Sequence, residues 1–162
     1  TKNSTVAILA SGKLAGCGFN PSHGLGSLHQ SKVLQVINTG DERFQSISDT
    51  VGWCGDACVA ISKKGDAWIF GKGDNSSGQD LPCKEALGNG YTSDISIDTP
   101  ILATKLMAAI GGARLQAAAC GYDFGILWAK DGRLFGYGDN AYGQLADGTV
   151  LRRSLPVPVG GL

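Results

Sequence analysis

His23 and His29 are the two histidines of the chain, so any imidazole acting as a general base would have to be one of them. Neither stands beside a serine, cysteine or carboxylate signature that would complete a triad, and both read as loop residues. Cys54 and Cys58 offer two thiols four positions apart. A structural zinc site needs four ligands, usually as two close pairs, and no second Cys or His pair completes the set. The even offset instead puts both thiols on one face of a strand, where small apolar side chains are buried. The run Gly71-Lys-Gly-Asp-Asn75 sets a lysine among glycines, which invites a phosphate-binding interpretation. It lacks the Walker A pattern and a following helix whose N-terminus would meet an anion. The residue types therefore name no catalytic group, no metal ligand and no cofactor site, and they move the question of function to surfaces.

Composition narrows those surfaces. Lys plus Arg and Asp plus Glu both number 14, so the net charge is zero and no electrostatic case exists for nucleic acid or anionic lipid. The basic pairs Lys63-Lys64 and Arg152-Arg153 are too short for a targeting or nucleic-acid tail. The 25 glycines, against 7% aromatic and 17% charged residues, predict many tight turns rather than long helices. Cys17, Cys54, Cys58, Cys83 and Cys120 make an odd, unevenly spaced set. That argues against a disulfide framework and for a reducing, intracellular setting; nothing distinguishes nucleus, cytosol and mitochondrion. No apolar run approaches the roughly 20 residues of a membrane span. The sequence opens at Thr1 rather than Met, and a segment of a longer protein is expected.

The elements that must position any surface repeat along the chain. A glycine is followed six residues later by another at Gly12 and Gly18, Gly65 and Gly71, and Gly132 and Gly138. Asn20, Asn75 and Asn140 come next, then Gly24, Gly78 and Gly143. Such self-similarity signals a repeat architecture. The repeats span roughly 1–42, 43–110 and 111–162. Strands are predicted at Val6–Ala10, Cys58–Ile61 and Gly125–Ala129, each leading through a two-residue turn into a second strand at Lys13–Cys17, Ala67–Phe70 or Arg133–Tyr137. A further strand precedes the later hairpins at Phe44–Ser48 and Leu115–Gly121. The first repeat lacks it, because Thr1 falls where Gly121 stands in the third. In each loop small residues let backbones approach closely, and Asn tolerates the left-handed conformation. Asp80–Thr99 reads as an enlarged surface loop, and Pro100–Ile110 as a short helix before Gly111-Gly112. Trp68 and Trp128 fall in predicted strands and are expected in the core, whereas Trp53 flanks an insertion and is a candidate contact residue.

Laid out this way, the chain resembles the regulator of chromosome condensation (RCC1-type) repeat family. The third repeat carries most of the pattern: Cys120-Gly121, Ile126-Leu-Trp128, Asp131-Gly132, Tyr137-Gly138, Asn140, Gly143-Gln-Leu145 and Pro156 or Pro158. The second carries Cys54-Gly55, Gly65, Phe70-Gly71, Asn75, Gly78-Gln79 and Pro100; the first is degenerate. The resemblance implies an all-β fold, a partial β-propeller of about three antiparallel blades from a ring of usually seven.

It also implies a protein-interaction scaffold, a subunit or domain of a larger intracellular assembly, with other proteins as partners. The alternative is guanine-nucleotide exchange on a small GTPase, as in the founding members, for which Asp80, Glu85, Asp94 and Asp98 would supply acidic groups beside the nucleotide site. The family often places a histidine two residues after the glycine that ends the first strand. Here the third repeat has Asp123 and the second has Ala57 nearby, a departure that counts against exchange and leaves Asp123 as a candidate partner contact. The surfaces singled out are the insertion and the tips Asn20–Gly24, Asn75–Gly78 and Asn140–Gly143.

Overall fold

The computed structural model describes residues 4–19, 30–48, 58–73, 88–90, 95–121 and 124–160. Its strands are β1 (Ser4–Ile8), β2 (Leu14–Phe19), β3 (Gln30–Val36), β4 (Phe44–Ile47), β5 (Cys58–Ser62), β6 (Ala67–Gly73), β7 (Ile95–Leu102), β8 (Leu115–Cys120), β9 (Phe124–Ala129), β10 (Leu134–Gly138) and β11 (Arg153–Pro158). Among the described residues, a helix, α1 (Thr104–Ala109), lies between β7 and β8. The strands form three sheets in the orders β1-β2-β3, β4-β5-β6-β7 and β8-β9-β10-β11. All pairings are antiparallel. The fold is all-β, as expected.

Each hairpin closes in the same way. Leu9 N–H donates to Lys13 O and Gly12 N–H to Leu9 O; Ser62, Asp66 and Gly65 repeat the pair of bonds, as do Ala129, Arg133 and Gly132, all at 2.7–3.0 Å. The loops therefore hold three residues, not the two expected. The additional residue is the glycine itself, at φ +80° (Gly12), +91° (Gly65) and +91° (Gly132), the left-handed conformation of a bulged hairpin.

The same glycines join one sheet to the next. Phe44 N–H donates to Gly12 O at 2.8 Å, and Leu115 N–H to Gly65 O at 2.9 Å. Arg43 and Arg114 lie over Gly12 and Gly65 so closely that a Cβ at either glycine would come within about 3 Å of the arginine stem. Each inner strand then bulges at a glutamine. Phe44 opposes Ser62 while Ser46 opposes Ile61, skipping Gln45; Leu115 opposes Ala129 while Ala117 opposes Trp128, skipping Gln116. Gln45 Nε2 reaches the next sheet, donating to Leu115 O at 3.1 Å.

The outer strands share an irregularity that hid them in the sequence. Between Gly136 and Gly138 of β10 the partner strand advances from Val157 to Arg153, so it carries two residues more than β10 across that interval. The steps from Gln35 to Ser31 and from Ile101 to Ile97 repeat this. Pro100 and Pro156 sit within these bulges on edge strands, where no ladder hydrogen is needed. β3 was not anticipated, and Val33, Leu34 and Val36 on it are exposed.

Two expected boundaries move. Residues 95–99 belong to β7, with Ile97 buried and Asp98 exposed, and not to a loop. The helix is shorter than Pro100–Ile110, because Pro100–Leu102 complete β7. It ends in a Schellman pair, Gly111 N–H to Ala108 O and Gly112 N–H to Met107 O. Its N-terminus has no capping side chain of its own; Asn89, buried, accepts from Leu106 N–H at 2.9 Å instead. Gly88 lies against the Tyr137 ring, where an added Cβ would be 2.8 Å from it, and Gly90 N–H bonds Ser154 O at 2.9 Å. Residues 88–90 thus tie the second sheet's insertion to the third sheet, and 80–87 and 91–94 lie outside the described residues.

The core runs through all three sheets and includes Leu14, Phe44, Ile61, Ile69, Phe70, Leu115, Leu127 and Tyr137. Trp68 is half-buried and meets Phe44 edge-on at 6.0 Å. Trp128, expected in the core, is 50% exposed. It occupies the position of Ile61, which is fully buried where β5 packs on β8. Among the described residues no sheet covers that side of β9.

Candidate interaction surface

The ordered loop between β10 and β11 is built around Asn140, which is fully buried. Its Nδ2 donates to Asp147 Oδ1 at 3.0 Å, Thr149 O at 3.0 Å and Leu151 O at 3.1 Å. Its Oδ1 accepts from Leu145 N–H at 2.9 Å. Two amide hydrogens serve three acceptors, so at least one bond is shared. Asn tolerates left-handed backbone, but the left-handed non-glycine residue among those described is Ala146, at φ +48°. Asn140 works as a hydrogen-bond hub that closes the loop.

Neighbouring side chains lock the rest. Gln144 Nε2 donates to Asp139 Oδ2 at 2.7 Å, and its Oε1 accepts from Tyr142 N–H at 2.9 Å. Asp147 accepts from Thr149 Oγ1 at 2.8 Å and Arg153 Nε at 2.7 Å, and Arg152 bonds Asp139 at 3.0 Å. The Thr149 hydroxyl, with Arg153 and Asn140, holds the Asp147 carboxyl well below the usual carboxylate range. Burial works against ionisation of Asp139, but the bonds from Arg152 and Gln144 outweigh it and its pKa is also lowered. Leu145 anchors the loop in the core, fully buried over Gly136.

This locked frame presents large apolar side chains to solvent. Tyr142 is 93% exposed, Val150 65% and Leu151 61%. A rigid loop carrying exposed apolar groups can bind another protein with little ordering cost. The tip Asn140–Gly143 singled out from the sequence contains Tyr142, but Val150 and Leu151 were not found, because isolated exposed apolar positions in a loop have no period. The one available signal was Tyr142 standing where the second repeat has Ser77.

Of the candidate contacts chosen from sequence, Trp53, Asp80, Glu85, Asp94 and Asp123 lie outside the described residues, as do His23, His29, Cys54, Cys83, Asn20 and Asn75. Asp98 is exposed on β7, and Cys58 is buried in β5. Of the acidic set, Asp98 is the member that falls among the described residues. Gly18, Gly71 and Gly138 lie within β2, β6 and β10 at φ +110°, +101° and +98°. Gly71 and Gly73, considered for phosphate binding, are strand residues of β6. Among the described residues no group of three or more His, Cys, Asp or Glu could hold a metal, and no helix is long and apolar enough to cross a membrane.

Sheets repeated in register, the second and third each seated on the hairpin glycine of the sheet before it, define blades of a β-propeller. Models of the regulator of chromosome condensation (RCC1) repeat match residues 116–144 and 131–162, the third blade of the chain. The chain is 26% identical over 143 residues to the secretion-regulating guanine nucleotide exchange factor of Bos taurus, covering 88% of this chain and 28% of that protein. It is 28% identical over 115 residues to the protein RCC2 homolog of Danio rerio, covering 67% of this chain and 20% of that one. Among solved structures, human WBSCR16 superposes with a TM-score of 0.73 at 14% identity, over 96% of this chain and 35% of that chain. Yeast RCC1 (Prp20), in its complex with Kap60, gives 0.67 at 13%, over 98% and 35%. The chain thus spans 28% or less of these curated relatives and about a third of the solved chains, as a partial propeller.

Proposed function

We propose that this chain is a protein-interaction scaffold within a larger assembly, and that its third blade supplies one contact surface. The observation that carries this is the loop 139–151: internally bonded through Asn140 and Asp147, it holds Tyr142, Val150 and Leu151 in solvent. The insertion after β6 is a second surface to test. Because Asn89 caps α1 and 95–99 form β7, a deletion meant to probe it must stop within 80–87. Pairing Tyr142→Ala with Leu151→Ala should leave the fold intact and reduce binding of the native partner proteins. Unchanged binding would remove this loop from the function.

Guanine-nucleotide exchange on a small GTPase is the second reading, supported by the names of the bovine and mouse relatives. Its test is release of labelled GDP from a panel of small GTPases by the purified protein. Acceleration at catalytic amounts would favour exchange over scaffolding. Asp123 and Trp53 remain contact candidates to be substituted in both assays.

A further inference from the structure

Zero net charge holds for the whole chain, but the turns at one end of the sheets do not share it. Because every pairing is antiparallel, successive connections alternate between the two ends. The hairpin loops 9–13, 62–66 and 129–133 lie at one end. The bonds from Phe44 to Gly12 and from Leu115 to Gly65 bring the linkers into β4 and β8 to the same end. Loop 139–151 leaves β10 at the other.

The hairpin end carries a row of cations set by the blade repeat. Arg43 and Arg114 each precede an inner strand, with their stems over Gly12 and Gly65 of the sheet before. The carbonyl of each accepts an N–H from the hairpin of its own sheet, Lys63 to Arg43 at 2.8 Å and Lys130 to Arg114 at 2.7 Å. Two successive blade boundaries thus hold an Arg–Lys pair fixed by the backbone. Lys13 precedes the first pair, Lys64 stands beside Lys63, and Arg133 follows the second pair.

The carboxylates at this end do not cancel the row. Glu42 and Asp66 are recessed, with side chains 13% and 24% exposed, while their partners Lys64 and Arg114 stand out at 70% and 59%. Asp131 is held by Arg133 at 2.7 Å. With Asp41, these make four acids against the seven cations named. Arg43 Nη1 donates to the carbonyls of Asp41 and Glu42, at 2.8 and 3.1 Å, and Lys13 Nζ to that of Gly40, so these bonds leave both charges uncompensated. Lys63 and Lys130 are exposed and, among the described residues, meet no carboxylate.

We propose that this end of the sheets binds an acidic segment of a partner polypeptide, whose carboxylates meet the uncompensated cations. These loops hold no aromatic side chain on which a base could stack, and their interleaved acids would oppose a continuous phosphate backbone, so the partner is protein and not nucleic acid. Packed sheets lie about 10 Å apart and an extended chain advances about 3.3 Å per residue, so acids about three residues apart would meet successive boundaries. The surface adds a second contact to the scaffold and rests on that reading, but it lies at the opposite end from Tyr142 and Leu151.

The test is fluorescence anisotropy of a labelled peptide of roughly twelve residues, with glutamate at every third position and glycine and serine between, titrated with the 162-residue chain. The expected result is saturable binding at about 50 mM salt that weakens at about 200 mM. At about 2- to 5-fold for each exposed charge pair, Lys63→Gln with Lys130→Gln should weaken binding by about 4- to 25-fold. Lys32→Gln, on β3 and off the row, should bind as wild type does, as should Tyr142→Ala with Leu151→Ala, so either contact surface can fail alone. Equal melting temperatures establish that the variants are folded. The proposal is overturned if the peptide does not bind, if a glutamine version binds equally well, or if the Lys63, Lys130 pair changes nothing. It is equally overturned if Lys32→Gln weakens binding as much, or if an oligothymidylate of the same length binds more tightly than the peptide.

Discussion

Replacing Asn140 by alanine tests whether this side chain closes the third blade's loop. The substitution removes an acceptor from Leu145 N–H and a donor shared by Thr149 O, Leu151 O and Asp147. Asn140 is fully buried, so no water stands ready to replace it. Stranding a buried N–H costs about 1–3 kcal/mol, and each lost carbonyl bond about 1 kcal/mol more. The expected loss is therefore about 3–5 kcal/mol, a large part of the roughly 5–15 kcal/mol that stabilises an ordinary domain. For a chain of this size that lowers the melting temperature by about 6–20 °C. Calorimetry with urea denaturation measures both, and the urea slope should stay unchanged because the same surface is exposed on unfolding. Asn140→Asp keeps an acceptor but loses the donor and sets a charge beside Asp147, so it should be no better than alanine. A cost under 1 kcal/mol for Asn140→Ala would refute the hub.

Gly65→Ala and Gly132→Ala share φ +91°, so both should lose the roughly 1–2 kcal/mol of a left-handed L-residue. Only Gly65 would drive its Cβ to 3.0 Å from Leu115 backbone atoms, and denaturation should show it costing at least about 1 kcal/mol more. Ile61→Ala should cost about 2–5 kcal/mol, whereas Trp128→Ala at the same position of the third blade should cost less, as half-exposed side chains do. Acid should weaken the loop through Asp147. Its folded pKa lies below the unfolded value of about 3.9, so its stabilisation is complete above that value and is lost as pH falls through it toward the folded one. Stability measured from pH 7 to pH 2 should fall less steeply in Asp147→Asn, which starts from a lower value at pH 7.

Much of the blade core was legible because the hairpin glycines recur with fixed chemistry. Gly12, Gly65 and Gly132 each need positive φ, and the apolar runs on either side fix which strands they join. The inner strands at Phe44 and Leu115 were legible for the same reason. The outer strands were not. A two-residue bulge breaks the alternation from which a strand is read, so β3 was missed and the start of β7 was assigned to a loop. Trp128 was misplaced because its exposure depends on what lies against β9, which no local pattern records. The contact surface was the least legible part. Asn140 was recognised by its recurrence, but its four partners come from residues five to eleven positions away. The exposure of Tyr142, Val150 and Leu151 follows from that folded loop and not from their own spacing.

The most direct test of the scaffold role is quantitative affinity capture from the native source, comparing wild type with the Tyr142→Ala, Leu151→Ala pair after confirming equal thermal stability. The account predicts a stable set of partner proteins with wild type and loss of at least one of them from the paired variant. An identical partner set from both, or recovery chiefly of a small GTPase whose GDP release the protein accelerates, would contradict it.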